Sequence, residues 1–493
     1  MEPIEAAAAA ASAGTRVRRF RTAGLLAIVL ILVASSFISL RSTRSRSTLD
    51  AAQLQVDTLI RARSLYSLRT LSGHASDSPT TARERALIRD LSKLADVSPT
   101  PRNIRRLALT QYVFHDNGWR SSLLRLRSVP GADATFGTER ELSTWAAVLD
   151  GHARADDIPD IERRIDAMNL GWYEHFALAA LYRGAGDAAR ASRQVEAANG
   201  STTRLLTILN LAVLAGLAGI VVGIRQLVLF FRRRARTRSS AYEFVSAEPP
   251  LSLRPLIQRQ ADVLYMGFVI YLATFAVVRL VIGDIFGRFI SRMLAGFPPE
   301  VDLSVQIAIS LLSLAPTLIW LVAKGRRAGL TAASIGLTTR DLPANVVWGI
   351  TGYAVALPLV YLASVLSSWV FRSVQSPPHP VIAELVATRG PLFLVLMFLQ
   401  VAVIPPFSEE LMFRGVFFRA LSARMAAPAA VILTSALFAI LHPQLPLGFL
   451  GIFVLGMIFN LLALSRGSLV PGMVAHALNN GVIFFFFVLL TSD

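Results

Sequence analysis

Three short stretches near the C-terminal end place ionisable and amide side chains in apolar surroundings. PPFSEELMFRGVFFRA (405–420) carries Glu409, Glu410 and Arg414; FAILH (438–442) carries Phe438 and His442; HALNN (476–480) carries His476 and Asn480. Within each stretch a four-residue spacing brings two of these side chains onto one face of a helix. Glu410 and Arg414 stand in the favourable order for an ion pair. Glu409 is turned about 100° from Glu410 and is free to point into a cavity. A carboxylate beside histidines offers what amide hydrolysis needs: a base to take a proton from water, and a partner to orient that water and return the proton. His476 and Asn480 could donate hydrogen bonds to the oxyanion of a tetrahedral intermediate. Glu409, His442 and His476 are also a donor set for a divalent metal such as zinc, whose bound water would attack. The residues leave both chemistries open, so the cofactor is a divalent metal or none.

Such groups in a bilayer cost roughly 2.5 to 3.5 kcal/mol each on insertion scales, and the segments that carry them are membrane spans. The chain has 493 residues, of which 54% are hydrophobic and 16% charged. Its net charge of +17 is largely Arg placed beside apolar runs, where it sets orientation, so no nucleic-acid partner is expected. With no cysteine in the chain, disulfides, thiolate metal sites and a cysteine nucleophile are excluded. The expected fold is all-α, a polytopic membrane bundle of about seven or eight core helices with an N-terminal helical domain set between two transmembrane helices.

The organisation reads as follows. Residues 1–40 are a cytoplasmic tail and an uncleaved anchor, with its apolar run at 22–40. Residues 41–200 lack a spanning run and form an extracytoplasmic helical domain. Within it, YEHFALAALYRGAGDAARASRQVEAA (173–198) has the offsets of a tetratricopeptide-type hairpin, with Ala179, Tyr182, Gly186, Ala191 and Ala198 in place, a unit suited to a protein partner. Residues 201–261 hold a second span and the basic block RRRARTR, which puts the following linker in the cytoplasm. Residues 262–493 are the membrane core, with spans expected at 263–282, 303–323, 345–371, 391–424, 427–442, 447–464 and 468–490. The fourth is expected to break at Pro405 and Pro406, and Asp341-Leu342-Pro343 looks like a helix start. A straight helix over 427–442 places His442 about 22 Å from its beginning, against about 12 Å for His476 in the last span. A convergent site requires that difference to be reconciled.

EELMFR, FAILH and HALNN, in that order and with SRGSLVPGMVAH between the last two, resemble the E-E-x-x-x-R, F-x-x-x-H and H-x-x-x-N motifs of the CAAX protease and bacteriocin-processing (CPBP, or Abi) family of intramembrane endopeptidases. The likeness covers about 262–490. It implies that Glu409 is the catalytic base and His442 its water-orienting or metal-ligating partner. It further implies that His476 and Asn480 lie on the oxyanion side, and that Glu410, Arg414 and Phe438 support the site. The implied substrate is a membrane-associated protein or peptide, and the implied location is the bacterial inner membrane. Other intramembrane protease signatures are missing from the sequence: H-E-x-x-H, G-x-S-x-G, and a complete G-x-G-D, since VIGD (281–284) lacks its first glycine. Two readings compete. One is a non-proteolytic scaffold or immunity-type protein held together by the polar cluster, although interhelical polar contacts average under about 1 kcal/mol. The other is a transporter, which would show inverted repeats of broken helices; the first half of the core has no second copy of the 405–424 pattern.

Overall fold

The computed structural model describes residues 81–129, 137–168, 170–236, 254–278, 297–371, 390–442 and 444–491, with a few isolated positions outside these ranges. The expected anchor at 22–40 and residues 237–253 of the expected linker lie outside the described residues. All regular structure among the described residues is helical, and it falls into two compact units that divide between Leu211 and Ala212.

The first unit is built from α1 (Ala82–Val97), α2 (Pro101–Val113), α3 (Trp119–Leu124), α4 (Thr138–Leu149), α5 (Ile158–Ala167), α6 (Glu174–Gly184) and the start of α7 (Ala188–Arg236). Capping residues set its helix starts. Thr81 and Glu84 form a reciprocal capping box on α1, and the Thr100 hydroxyl accepts from Asn103 N–H ahead of Pro101 on α2. A helical hairpin occupies 173–198. α6 ends in a turn through Gly186, whose φ of +78° favours glycine, and α7 begins after Asp187. Ala179, Tyr182, Ala191 and Ala198 are buried in a core with Trp145, Trp172, Tyr173 and Phe176. A buried ion pair lies beside this core: Arg105 donates twice to Glu141, at 2.6 and 2.7 Å, and Trp145 Nε1–H donates to the same carboxylate.

The second unit holds the rest of α7 from Ala212, α8 (Arg254–Val277), α9 (Pro299–Ala328), α10 (Leu342–Val370), α11 (Pro391–Ser422), α12 (Ala427–Ile440), α13 (Phe449–Arg466) and α14 (Val470–Thr491), the last as far as Phe484. Six of these are long and apolar enough to cross a bilayer, so the chain is a multi-pass helical membrane protein. α12, with 14 residues, is shorter than the span expected over 427–442. α8 begins at Arg254, not at 263, because the helix continues into polar sequence that hydropathy reads as linker. α10 begins at Leu342 as expected, but Asp341 is not its side-chain cap. It adopts a left-handed conformation with φ of 54° and makes no capping hydrogen bond.

α11 corrects the sequence reading most. The helix runs through Pro405 and Pro406 without a break, and takes up the prolines by widening into π-helical turns at Leu399–Val403 and again at Glu410–Phe418. It is the axis of the core. Phe268 of α8 stacks on Phe417 at 4.1 Å, Phe438 of α12 packs edge-on against Phe413 at 5.0 Å, and Arg414 donates to the Gly456 carbonyl of α13.

Candidate active site

From Glu409 to Ser422, the end of α11, the chain rises about 19 Å, and from Ala427 to His442 about 22 Å. A short turn joins these ends, so Glu409 and His442 come level. The last helix is raised to meet them: Leu469 N–H donates to Gly336 O at 2.9 Å, and Leu469 lies against Gly415 of α11. α14 therefore starts about 9 Å from the level of Glu409, against about 19 Å for Ser422, and His476, six residues on, is also level. The mismatch in depth thus arose from assuming that all spans start at one plane.

At that level Glu409 Oε2 lies 4.0 Å from His442 Nε2 and 3.9 Å from His476 Nε2. His442 Nδ1 is 2.6 Å from the Phe438 carbonyl. A carbonyl only accepts, so Nδ1 carries the hydrogen, and in the neutral ring Nε2 presents its lone pair to Glu409. On the other side His476 Nδ1 stands 3.4 Å from Glu410 Oε1. Both rings therefore turn Nε2 towards the one carboxylate. Phe438 packs against both His442, at 4.5 Å between rings, and the Arg414 guanidinium, at 4.4 Å. His476 stacks on Phe459 at 5.1 Å.

Glu410 and Arg414 are completely buried and joined at 2.9 Å. Glu410 Oε2 and Arg414 Nε find no partner among the described residues, so the pair is not optimised for stability. Glu410 is seated against Gly472, where any Cβ would come within 2.5 Å of Oε2.

Asn480 lies elsewhere in the arrangement. Its Nδ2 donates to Val401 O at 2.9 Å, and its Oδ1 accepts from Asn479. Val401 is the carbonyl that the prolines orphan in either winding, since the donors at i+4 and i+5 would be Pro405 and Pro406. Asn480 thus braces the widened turn of α11 with one N–H and keeps a second. The sequence signal was present in the Pro-Pro pair, but nothing in it connected the pair with residue 480.

A cavity of about 260 Å³ opens on Glu409 and His442, lined also by Phe413, Leu441, and Tyr271, Leu272 and Phe275 of α8. Sequence reading missed Tyr271. Only its three- and four-residue spacing from Phe268 and Phe275 marked its face of the helix.

The donors Glu409, His442 and His476 suit zinc chemically, yet their spacing does not. Ligands at 2.0–2.1 Å in a tetrahedron lie about 3.3 Å apart, against 3.9 and 4.0 Å here. Among the described residues no three such groups are arranged to hold a metal ion. The separation suits water instead: an oxygen about 2.8 Å from two atoms 4.0 Å apart subtends about 90°, within hydrogen-bonding range.

Residues 391–482 match the family model described as type II CAAX prenyl endopeptidase Rce1-like. The matched stretch contains α11 through most of α14 and every residue of the three motifs. No curated protein and no solved structure gives a significant match. The match supports a protease whose catalytic segment lies within the membrane helices.

Proposed function

Taking residues 391–482 as an Rce1-like protease segment, we propose that the protein is an intramembrane endopeptidase that hydrolyses a peptide bond of a membrane-associated protein or peptide. The observation that carries this reading is the approach of His442 Nε2, just past the end of α12, and His476 Nε2, on α14, to one oxygen of Glu409 on α11. A water between Glu409 and the lone pair of His442 loses a proton to the carboxylate as its oxygen attacks the carbonyl carbon. The proton then passes to the leaving amine as the C–N bond breaks. His476, backed by Glu410, stabilises the charge that develops, and the second N–H of Asn480 is the remaining donor on that side.

The basic block RRRARTR after the span at 205–231 supports a cytoplasmic linker and an extracytoplasmic 41–200, in a bacterial inner membrane. In this arrangement the α6–α7 hairpin and its neighbours recruit a protein substrate or adaptor.

The test is cleavage of a proteome-derived peptide library in proteoliposomes, read by mass spectrometry of new termini. The proposal expects cleavage by the wild-type protein and none by a folded His442→Ala variant. Equal cleavage by both would refute it. Loss of activity with a chelator and recovery with zinc would replace the water mechanism with a metal-assisted one.

A further inference from the structure

We infer that Tyr271 is a further hydrogen-bond donor to the carbonyl oxygen of the scissile bond, beside His476 and Asn480, a role that rests on reading the site as a peptidase. The argument is one of elimination within the cavity. Its polar lining consists of Glu409, His442 and Tyr271. Ionised Glu409 only accepts. His442 has spent its Nδ1–H on Phe438 O and turns an acceptor inward. His476 and Asn480 do not line this cavity. The Tyr271 hydroxyl makes no hydrogen bond among the described residues, and its charged neighbour is Glu409. From the side of this cavity, a peptide carbonyl entering against Glu409 therefore meets one uncommitted side-chain donor, Tyr271.

The ring is well fixed. Phe268 lies 6.0 Å from it, Phe275 stacks at 6.2 Å and Phe413 stands edge-on at 6.4 Å, so the hydroxyl is preorganised by packing alone. The bland explanation, a core aromatic, accounts for the ring but not for the oxygen. The same helical face carries phenylalanine at 268 and 275, and a third phenylalanine would fill the space, so packing alone gives no use for the hydroxyl that lines the cavity.

In the reaction, the water oxygen forms a bond to the carbonyl carbon, the carbonyl π pair moves onto oxygen, and Glu409 takes the water proton. Tyr271 O–H donates to that oxyanion and keeps its own proton. Collapse restores the carbonyl, breaks C–N and returns the proton to nitrogen, giving one acid and one amine from peptide and water.

The test uses the full-length protein in proteoliposomes and, as probe, the library peptide that the wild-type protein cleaves fastest, together with its hydroxyethylene isostere, whose sp³ C–OH occupies the oxyanion position. Tyr271→Phe should lower kcat roughly 100-fold, as loss of one oxyanion donor does, with KM changed less than about threefold and isostere binding weakened by a similar factor to kcat. A kcat within about threefold of wild type would overturn the inference and leave the peptidase reading intact. Reduced kcat with unchanged isostere binding would also overturn it, since that result belongs to a positioning role. Absence of any wild-type cleavage would remove the reading on which the inference rests, and the inference with it.

Discussion

Asn480→Ala leaves the Val401 carbonyl without a donor, and the local sequence decides how much that costs. Elsewhere in a transmembrane helix the backbone supplies an alternative, which is one reason interhelical hydrogen bonds average only about 0.6 kcal/mol. Here neither winding can supply one, because Pro405 and Pro406 occupy both donor positions, and the 2.9 Å bond from Asn480 is the remaining source. The expected loss is therefore that of an orphaned buried acceptor, about 1–3 kcal/mol. Pro405→Ala restores an N–H four residues after Val401, so in that background Asn480→Ala should cost less than about 0.5 kcal/mol, a coupling of about 1–2 kcal/mol. Unfolding of the detergent-solubilised protein by sodium dodecyl sulfate, followed by helical circular dichroism, measures all four corners of the cycle. An equal cost for Asn480→Ala in both backgrounds would refute the bracing role. Activity of the double variant then separates the two uses of the amide: stability recovers, while turnover remains low if the second N–H serves the intermediate.

Two further expectations concern other parts of the chain. Gly472→Ala places a Cβ 2.5 Å from Glu410 Oε2, about 1 Å inside normal contact, while Arg414 holds the other oxygen; it should cost about 1–3 kcal/mol and lower the thermal midpoint and turnover together. In the first unit, the backbone N–H of Arg190 and its guanidinium hold the Asp187 carboxyl below its ordinary pKa. A depressed carboxyl stabilises the fold above its unfolded pKa of about 3.9 and loses that contribution as pH falls through its folded value. Asp187→Asn keeps an acceptor for Arg190 N–H and should flatten the acid-side loss of thermal stability below about pH 4, measured as the midpoint against pH.

The sequence disclosed much of this site because helical spacing is local. Glu410 with Arg414, Phe438 with His442, and the unpaired position of Glu409 can all be read from offsets of one and four residues, and four-residue contacts survive even in the wider turns at 410–418. Depth was not legible. It depends on Leu469 bonding Gly336 and packing on Gly415, contacts between residues far apart in sequence. Asn480 illustrates the same limit, since its bond to Val401 joins positions 79 residues apart. Tyr271 was hidden for another reason: at helical spacing between phenylalanines it has the pattern of core, and only the cavity distinguishes its hydroxyl. The break expected at Pro405 was a misjudged winding, because π turns can accommodate what an α-helix cannot.

The central claim is that Glu409 takes the proton from the attacking water. It is tested most directly by the single-turnover rate of Glu409→Gln on the best-cleaved library peptide, in proteoliposomes, with thermal midpoint and peptide affinity matched to wild type. Glutamine keeps the shape and removes the base, so the rate should fall at least about 10³-fold, within the range that a positioned base contributes. A rate within about tenfold of wild type, with peptide bound as tightly, would contradict the account.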